Sequence, residues 1–396
     1  MWILFISILS LIAIQKYSRK LQNSISCAQV LPVADSFAPE SKISAKISVI
    51  IPAYNEAENI EDCVLAVLNS TTLSAEDLEV WVVDDQSIDQ TAMIVQSLQQ
   101  RLNDSRLHFL PGQPRPVGEV WVGKNWACTQ AVALARGEFL LFIDADTRLK
   151  PGAIETALHT VQQEQIDLLS LVPAVICGCL AEWIAQPLII TVLMIGYDFE
   201  AVNDPTSDTA FAAGPFMLFR RSAYEKIGGH RAVADQVVED VELSRRIKFS
   251  GLRLKYLGGS TAASFRMYRS WAALWEGWTK NFYMGSQRNF KAMLRFIIIM
   301  LLIYVVPWVG LGVAVSQIVL GANTLALILL GLSLTEIGLH YRLRQILFQS
   351  GGIPPKYWWL SGIGGLAVAA IAIGSIIKTE TGWGWTWRGR SLTMNN

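Results

Sequence analysis

Asp144 and Asp146, separated by one alanine, close an apolar run at 139–143. Two carboxylates at this spacing can hold a hard divalent cation, Mg2+ or Mn2+, against the phosphates of a nucleotide, because such ions take oxygen ligands and leave room for substrate oxygens. The tripeptide is common, and taken alone its plainer reading is a solvated turn at a strand end. Other acidic groups accompany it. Asp84 and Asp85 close a second apolar run at 78–83, and Glu56 follows Pro52, Ala53 and Tyr54 after a third run at 46–51. Glu239 and Asp240 open a segment with helical periodicity at 241–249, where an acidic pair also suits the helix dipole. Lys124 follows a glycine at the start of another helical pattern, 125–136. A helix terminus and an ammonium there suit a diphosphate, and a solvated first-turn lysine is the alternative.

The elements that must position these groups are readable from periodicity. Runs at 46–51, 78–83, 107–110 and 138–143 have the β-branched, apolar character of strands, and apolar residues recur at helical spacing over 55–68, 91–102 and 125–136. Strand and helix alternate, which specifies an α/β domain: a Rossmann-like, mostly parallel sheet with helices on both faces. Ligands of such sheets bind beyond the carboxyl ends of the strands, so the acidic pairs converge where this architecture makes a cleft.

The 396-residue chain is 52% hydrophobic and 17% charged, too apolar for a soluble domain alone. Its formal net charge of zero supplies no field for nucleic acid. Five scattered cysteines, Cys27, Cys63, Cys128, Cys177 and Cys179, read as reduced and structural. Residues 1–14 are apolar and Lys16, Arg19 and Lys20 follow them, the reverse of a secretory signal. The expectation is a membrane anchor over 1–20 and a cytoplasmic domain over 45–290. Apolar runs at 296–319, 325–339 and 357–377 predict three transmembrane helices within 296–377, followed by a tail at 378–396 whose basic residues leave its side open. Residues 176–194, within the segment 176–198, contain Glu182 as their one charged side chain, yet a crossing there would put Asp146 and Asp240 on opposite sides. An interfacial helix interrupted at Pro187 is therefore expected. Trp271, Trp275 and Trp278, at i, i+4 and i+7, predict a second interfacial helix over 268–284 or a core stripe.

The motifs occur in an order that resembles the membrane-associated family 2 glycosyltransferases. They are V-I-I-P-A-Y-N-E at 49–56, V-V-D-D-Q-S at 82–87, G-K-N-W-A at 123–127, D-A-D at 144–146, A-G-P-F-M-L-F-R-R at 213–221, I-G-G at 227–229 and E-D-V-E-L-S-R-R at 239–246. The resemblance implies the nucleotide-sugar-binding type A glycosyltransferase fold together with transmembrane helices. It implies that Pro52, Ala53, Tyr54 and Glu56 line a uracil and ribose pocket, that Asp85 accepts a hydrogen bond from the base, and that Lys124 meets the diphosphate. Asp146 would ligate the metal, with Asp144 facing ribose or sharing the ion. Asp240 would be the general base of an inverting transfer, positioned with help from Glu239. The family's Q-x-x-R-W is missing, and Lys280 within E-G-W-T-K-N at 276–281 stands nearest to its cation.

The implied activity is transfer of a sugar from a nucleotide diphosphate donor, UDP-sugar by expectation, to a hydroxyl of a membrane lipid. G-P-F-M-L-F-R-R, W-T-K-N and the terminal W-x-W-R-G-R look like the carotenoid- and hopanoid-associated enzymes. A polyprenyl-phosphate- or polysaccharide-directed transferase is the same chemistry on another acceptor, and a non-catalytic membrane protein that binds nucleotide or lipid is a different class. The intact D-D, D-A-D and E-D set weighs against that last reading.

Overall fold

The structure is a computed structural model that describes residues 2–32, 45–321 and 323–392. Met1 of the expected anchor and residues 393–396 of the expected tail lie outside the described residues. The chain divides into two compact units, one built from Ala28–Ile176 and Phe199–Met267, the other from Met1–Cys27, Cys177–Asp198 and Tyr268–Thr393.

The first of these holds ten strands: β1 (Ile47–Ala53), β2 (Leu78–Asp84), β3 (Leu107–Pro111), β4 (Phe139–Phe142), β5 (Thr147–Leu149), β6 (Leu168–Val172), β7 (Ala174–Val175), β8 (Met217–Arg220), β9 (Leu254–Gly258) and β10 (Ala263–Phe265). Seven form one sheet in the order β3-β2-β1-β4-β8-β6-β9. All neighbours are parallel except β8, which runs antiparallel to both β4 and β6. The mostly parallel α/β architecture expected from the sequence is thus the fold, with β8 as a reversal that strand–helix alternation gave no reason to expect. Because β8 is reversed, the Ala213-Gly214-Pro215 turn that precedes it sits at the sheet edge where β1, β2 and β4 end. Val49, Ile51, Val80, Val82, Leu141 and Leu218 are buried on one face among the helices, which is why these strands read as continuous apolar runs. The remaining strands, β5, β10 and β7, make a small second sheet that anchors the turn after β4.

Local differences from the sequence reading have physical causes. The helix expected from residue 55 begins at Ile60 and runs to Asn69. Asn55 has a φ of 55°, and three backbone N–H groups are taken instead by side chains of the loop after β2: Asn55 donates to Ser87 Oγ (2.9 Å), Glu56 to Thr91 Oγ1 (2.8 Å) and Ala57 to Asp89 Oδ2 (3.1 Å). Side chains that offer the backbone such partners compete with helix formation. The helix expected at 125–136 is Gly123–Leu134, so Lys124 lies in its first turn.

In the other unit, four helices among the described residues are long and apolar enough to cross a membrane: Trp2–Ser26, Phe290–Val319, Thr324–Gln349 and Trp358–Thr381. The first is longer than the expected anchor, and the third extends well past residue 339. Phe290–Val319 contains a π-helical turn, Leu301–Val305, just before Pro307. The interruption expected at Pro187 is absent, since Leu180–Gly196 is one helix that passes through it. Glu182 closes the start of that helix by accepting from the backbone N–H groups of Gly178 and Cys179 at 2.5 and 2.7 Å. This segment does not cross a membrane, because β6 before it pairs with β8 after it in one sheet. On helix Trp271–Gly285 the tryptophans do not share one environment: Trp278 is buried and donates Nε1 to Gln186 Oε1 (2.8 Å), whereas Trp271 is exposed. Within the tail, Thr386–Trp387 pairs with Arg390–Ser391 as a hairpin.

Candidate active site

Three strand ends set the floor of the site. Register places Ala53, the last residue of β1, opposite Asp84 of β2, and Ile50 opposite Phe142 of β4, so the loops carrying Tyr54, Asp85 and Asp144 leave the sheet side by side. Asp84 is buried and accepts from Ser87 N–H, which shapes its loop. Asp85 donates its backbone N–H to Ala53 O (2.8 Å), joining the two loops that line the expected nucleoside pocket. Both loops contain a non-glycine residue in the left-handed region, Asn55 and Gln86. Such conformations persist where surrounding contacts over-determine them.

Asp144 and Asp146 sit in the turn between β4 and β5. Thr147 N–H closes that turn on Asp144 O (3.0 Å), and the pairing of Thr147 with Phe265 of β10 holds its far side. The helix Glu239–Phe249 brings in the other acidic pair at its first two positions. Between the pairs stands Lys124. Its Nζ lies 2.6 Å from Asp144 Oδ1 and 2.6 Å from Glu239 Oε1. Asn125 is the reason these groups meet: fully buried, it donates Nδ2 to the carbonyls of Val233, Ala234 and Gln236, fastening the start of the lysine helix to the loop that delivers Glu239.

Burial disfavours the charge on Lys124, but the carboxylates of Asp144, Glu239 and Asp240 outweigh it and hold the ammonium well above the ordinary lysine pKa. Asp240 moves the other way for an acid: burial first, and then the Glu239 charge, push its carboxyl well above the usual carboxylate range, while Lys124 and the Val241 N–H oppose the shift. Asp240 is oriented by two backbone donors, Val241 N–H to Oδ1 (2.8 Å) and Gly214 N–H to Oδ2 (3.0 Å). A half-buried, oriented carboxylate with a raised proton affinity has the properties of a general base.

The structure brings Lys124, Asp144, Glu239 and Asp240 into one cluster, and places Pro52 and Ala53 at the end of β1 and Tyr54, Glu56, Asp85 and Asp146 on the adjoining loops. Lys280 belongs to the other unit, where its ammonium lies 4.2 Å above the Trp387 ring. Trp126 packs edge-on against Trp121 and donates Nε1 to Gln113 O (2.8 Å), so it supports the loop after β3. Cys63 and Cys128 are buried with thiol pKa values pushed up by burial, in keeping with structural thiols.

Two residues were not singled out from the sequence. Arg115 reaches over Asp85, with Nη2 at 3.9 Å from Oδ2. It sits in a proline- and glycine-rich loop that carries no periodicity. Gly214 is the other: a Cβ there would lie 3.2 Å from Asp240 Oδ2, 3.2 Å from Lys124 Nζ and 3.4 Å from Asp144 Oδ2. Ser170 of β6 accepts from Ala213 N–H at 2.8 Å and holds this turn against the site. Its place inside A-G-P-F was the available signal. Gly214→Val is expected to lower kcat/KM by about 10²-fold, the usual scale for displacing catalytic groups by an ångström, with little change in thermal unfolding. Steady-state kinetics beside an unfolding scan checks this.

Comparison with known proteins follows the same residues. Residues 139–362, more than half of the chain, match the family model described as glycosyl transferase family group 2, and residues 48–228 match glycosyl transferase family 2. The chain is 26% identical over 302 residues to 4,4'-diaponeurosporenoate glycosyltransferase of Staphylococcus aureus strain USA300, covering 76% of this chain and 77% of the relative. The protein of the same name from Staphylococcus haemolyticus is 25% identical, over 69% of this chain and 71% of that one. Among solved structures, the mannosyltransferase PcManGT from Pyrobaculum calidifontis in complex with GDP-Man and Mn2+ superposes with a TM-score of 0.55 at 16% identity, covering 96% of this chain and 98% of that chain. That likeness extends over the fold as a whole.

Proposed function

The chain belongs to glycosyl transferase family group 2 and is an enzyme of the transferase class, and on that premise we propose that it moves a sugar from UDP-sugar to a hydroxyl of a membrane lipid, with inversion at the anomeric carbon. The single observation that carries the catalytic part is the cluster in which Asp240, held by the Gly214 and Val241 N–H groups, stands beside Lys124, Asp144 and Glu239.

Asp240 takes the proton of the acceptor hydroxyl as its oxygen attacks the anomeric carbon, and the bond from that carbon to the diphosphate oxygen breaks on the opposite side. One carboxylate base and one displacement give inversion. Glu239 holds Lys124, and Lys124 in turn keeps Asp144 in place. Pro52, Ala53, Tyr54 and Glu56 line the nucleoside pocket, and Asp85 accepts from the uracil N–H. Arg115 is the cation offered to the diphosphate in place of the absent Q-x-x-R-W.

The residues present fit a divalent ion. Asp146 and Asp144 supply hard oxygen donors, and Gly214 keeps free the space beside Asp144 Oδ2 that a side chain would fill. Two carboxylates leave room for substrate phosphates in the coordination of such an ion. The P. calidifontis neighbour was solved with Mn2+; Mg2+ or Mn2+ suits this donor set. When bound, the ion neutralises charge that grows on the departing diphosphate.

The names of the staphylococcal relatives support a carotenoid acceptor, and the apolar helices supply a membrane for it. The catalytic unit lies on the cytoplasmic side, where nucleotide sugars are made. Chelation of divalent ions is expected to abolish transfer by membranes carrying the protein, with recovery on adding Mn2+ or Mg2+. Asp146→Asn should raise the ion concentration needed by more than about 10-fold, since even outer-shell partners of a metal contribute 10–100-fold to its affinity. Unchanged activity in chelator would remove the metal from this account.

A further inference from the structure

Contacts within the apolar unit fix how its helices align along one another. At one level lie Ser7, Gly310 and Ser333: a methyl on Gly310 would come within 2.5 Å of Ser333 Oγ and 3.2 Å of Ser7 Oγ. At a second level, His340 Nε2 meets Ile303 O at 2.8 Å, and Tyr17 packs edge-on against Tyr304. The N-terminal helix, the second half of Phe290–Val319 and the helix Thr324–Gly351 all run between these two levels. Ser10 and Glu336, fully buried, lie between them on the first and third of these helices. Three helices therefore traverse the same layer side by side.

Helix Ser361–Thr381 does not enter that layer. It starts at the second level, where Ser361 Oγ meets His340 Nδ1 at 2.8 Å and a Cβ on Gly365 would lie 2.5 Å from Tyr304 Cβ. From there it runs away from Gly310 and antiparallel to the first half of Phe290–Val319. Tyr283 donates its backbone N–H to Ser375 Oγ (2.9 Å), and Arg288 donates Nε and Nη2 to the two oxygens of Glu380 at 3.2 and 3.0 Å. Glu380 thus ends at the height of Arg288, just before Phe290–Val319 begins. A crossing must end on the face opposite its start, and this helix ends beside the residues that precede the second crossing. Length agrees: a 30-residue helix rises about 45 Å at 1.5 Å per residue, about 15 Å more than the ~30 Å hydrocarbon layer, so about a third of it is free to lie outside with a partner. Arg342, Arg344 and Lys356 cluster at the joint between the third and fourth apolar helices, and Arg344 Nη2 donates to Lys356 O (3.1 Å). Cations at that joint suit the headgroup level.

The C-terminal hairpin is locked to the same place. Glu276 Oε1 accepts from Thr386 Oγ1 (2.6 Å), its Oε2 accepts from Arg388 N–H (3.1 Å), and the Lys280 ammonium lies over Trp387. Glu276 and Lys280 both precede Arg288.

We infer that the chain crosses the membrane three times and that helix Ser361–Thr381 stays on one side, paired with the first half of Phe290–Val319. Its exposed row Ile363, Leu366, Ile373 and Ile377 faces the acyl chains of the leaflet next to the catalytic side, and the W-T-W-R-G-R hairpin stays on the side that connectivity gives to the catalytic unit. This replaces a third C-terminal crossing, which would have carried the basic tail to the far side.

Sidedness labelling decides the matter. In the full chain with its native cysteines replaced, Lys291→Cys, Leu320→Cys and Ser391→Cys are treated separately with a membrane-impermeant maleimide in sealed inverted vesicles. Ser391→Cys is expected to react together with Lys291→Cys from the outer, cytoplasmic surface, and Leu320→Cys only after permeabilisation. Reaction of Ser391→Cys in step with Leu320→Cys would overturn the inference. A C-terminal epitope on the otherwise unchanged chain gives an independent readout, cleavable by added protease if the tail is on the catalytic side and protected if it is not.

Discussion

Asp240→Asn is expected to reduce the turnover of sugar transfer by about 10²–10⁴-fold, the range that a positioned general base contributes, with nucleotide affinity nearly unchanged. The amide retains an oxygen for one of the two backbone donors, Gly214 N–H or Val241 N–H, so the turn and the helix start should persist. What it loses is the ability to accept the hydroxyl proton. The pH profile adds a signature that misfolding would not produce. Burial and the neighbouring Glu239 charge raise the Asp240 pKa toward neutrality, and transfer needs the ionised form. Activity should therefore fall as pH drops through the near-neutral range, about tenfold per unit below that pKa. The residual activity of the Asn variant should lack this acidic limb. Equal turnover in the two proteins would exclude Asp240 as the base.

Lys124→Met is expected to cost both stability and activity. The ammonium is the shared counter-ion of Asp144, Glu239 and Asp240, and removing one partner of a buried ion pair costs about 3–5 kcal/mol because the remaining charges have no compensation. The Lys124 side chain is 27% exposed, so solvent screening places the loss at the lower end, about 3 kcal/mol. A second substitution separates repulsion from lost packing. Glu239→Gln removes one of the uncompensated charges, so the double variant should be more stable than Lys124→Met alone, a coupling that a double-mutant cycle reads directly. Additive losses would show that Lys124 acts through its aliphatic stem.

Much of the site was readable from the chain because strand ends in a parallel sheet are read in order. Apolar runs at β1, β2 and β4 each terminate in polar residues, and the sheet rule places those termini at one edge. The antiparallel β8 escaped this reasoning: its partners are distant in sequence, and nothing local in Met217–Arg220 distinguishes parallel from antiparallel pairing. Gly214 went unnoticed for the same reason, since its importance lies in the three side chains that crowd the space a Cβ would occupy. Asn55 shows a limit of periodicity. The acidic pattern after β1 has the spacing of a helix start, but Ser87, Thr91 and Asp89 take the N–H groups that would begin it. Pro187 shows another: a proline inside a helix removes one hydrogen bond, yet here the helix Leu180–Gly196 continues through it, with Leu188 and Ile189 buried beside it. Apolar length alone could not tell a crossing from a helix that stays on one side, because the distinction rests on pairings such as Arg288 with Glu380.

The account stands most directly on what the enzyme makes. Lipid and pigment extracts from cells expressing the protein, from cells lacking it, and from cells expressing Asp240→Asn would be compared by mass spectrometry. The predicted result is a lipid-soluble species heavier by one sugar residue than a carotenoid or related precursor, present with the wild-type chain and missing from the other two. Identical glycolipid and pigment profiles in all three would contradict the assignment of a lipid-directed glycosyltransferase.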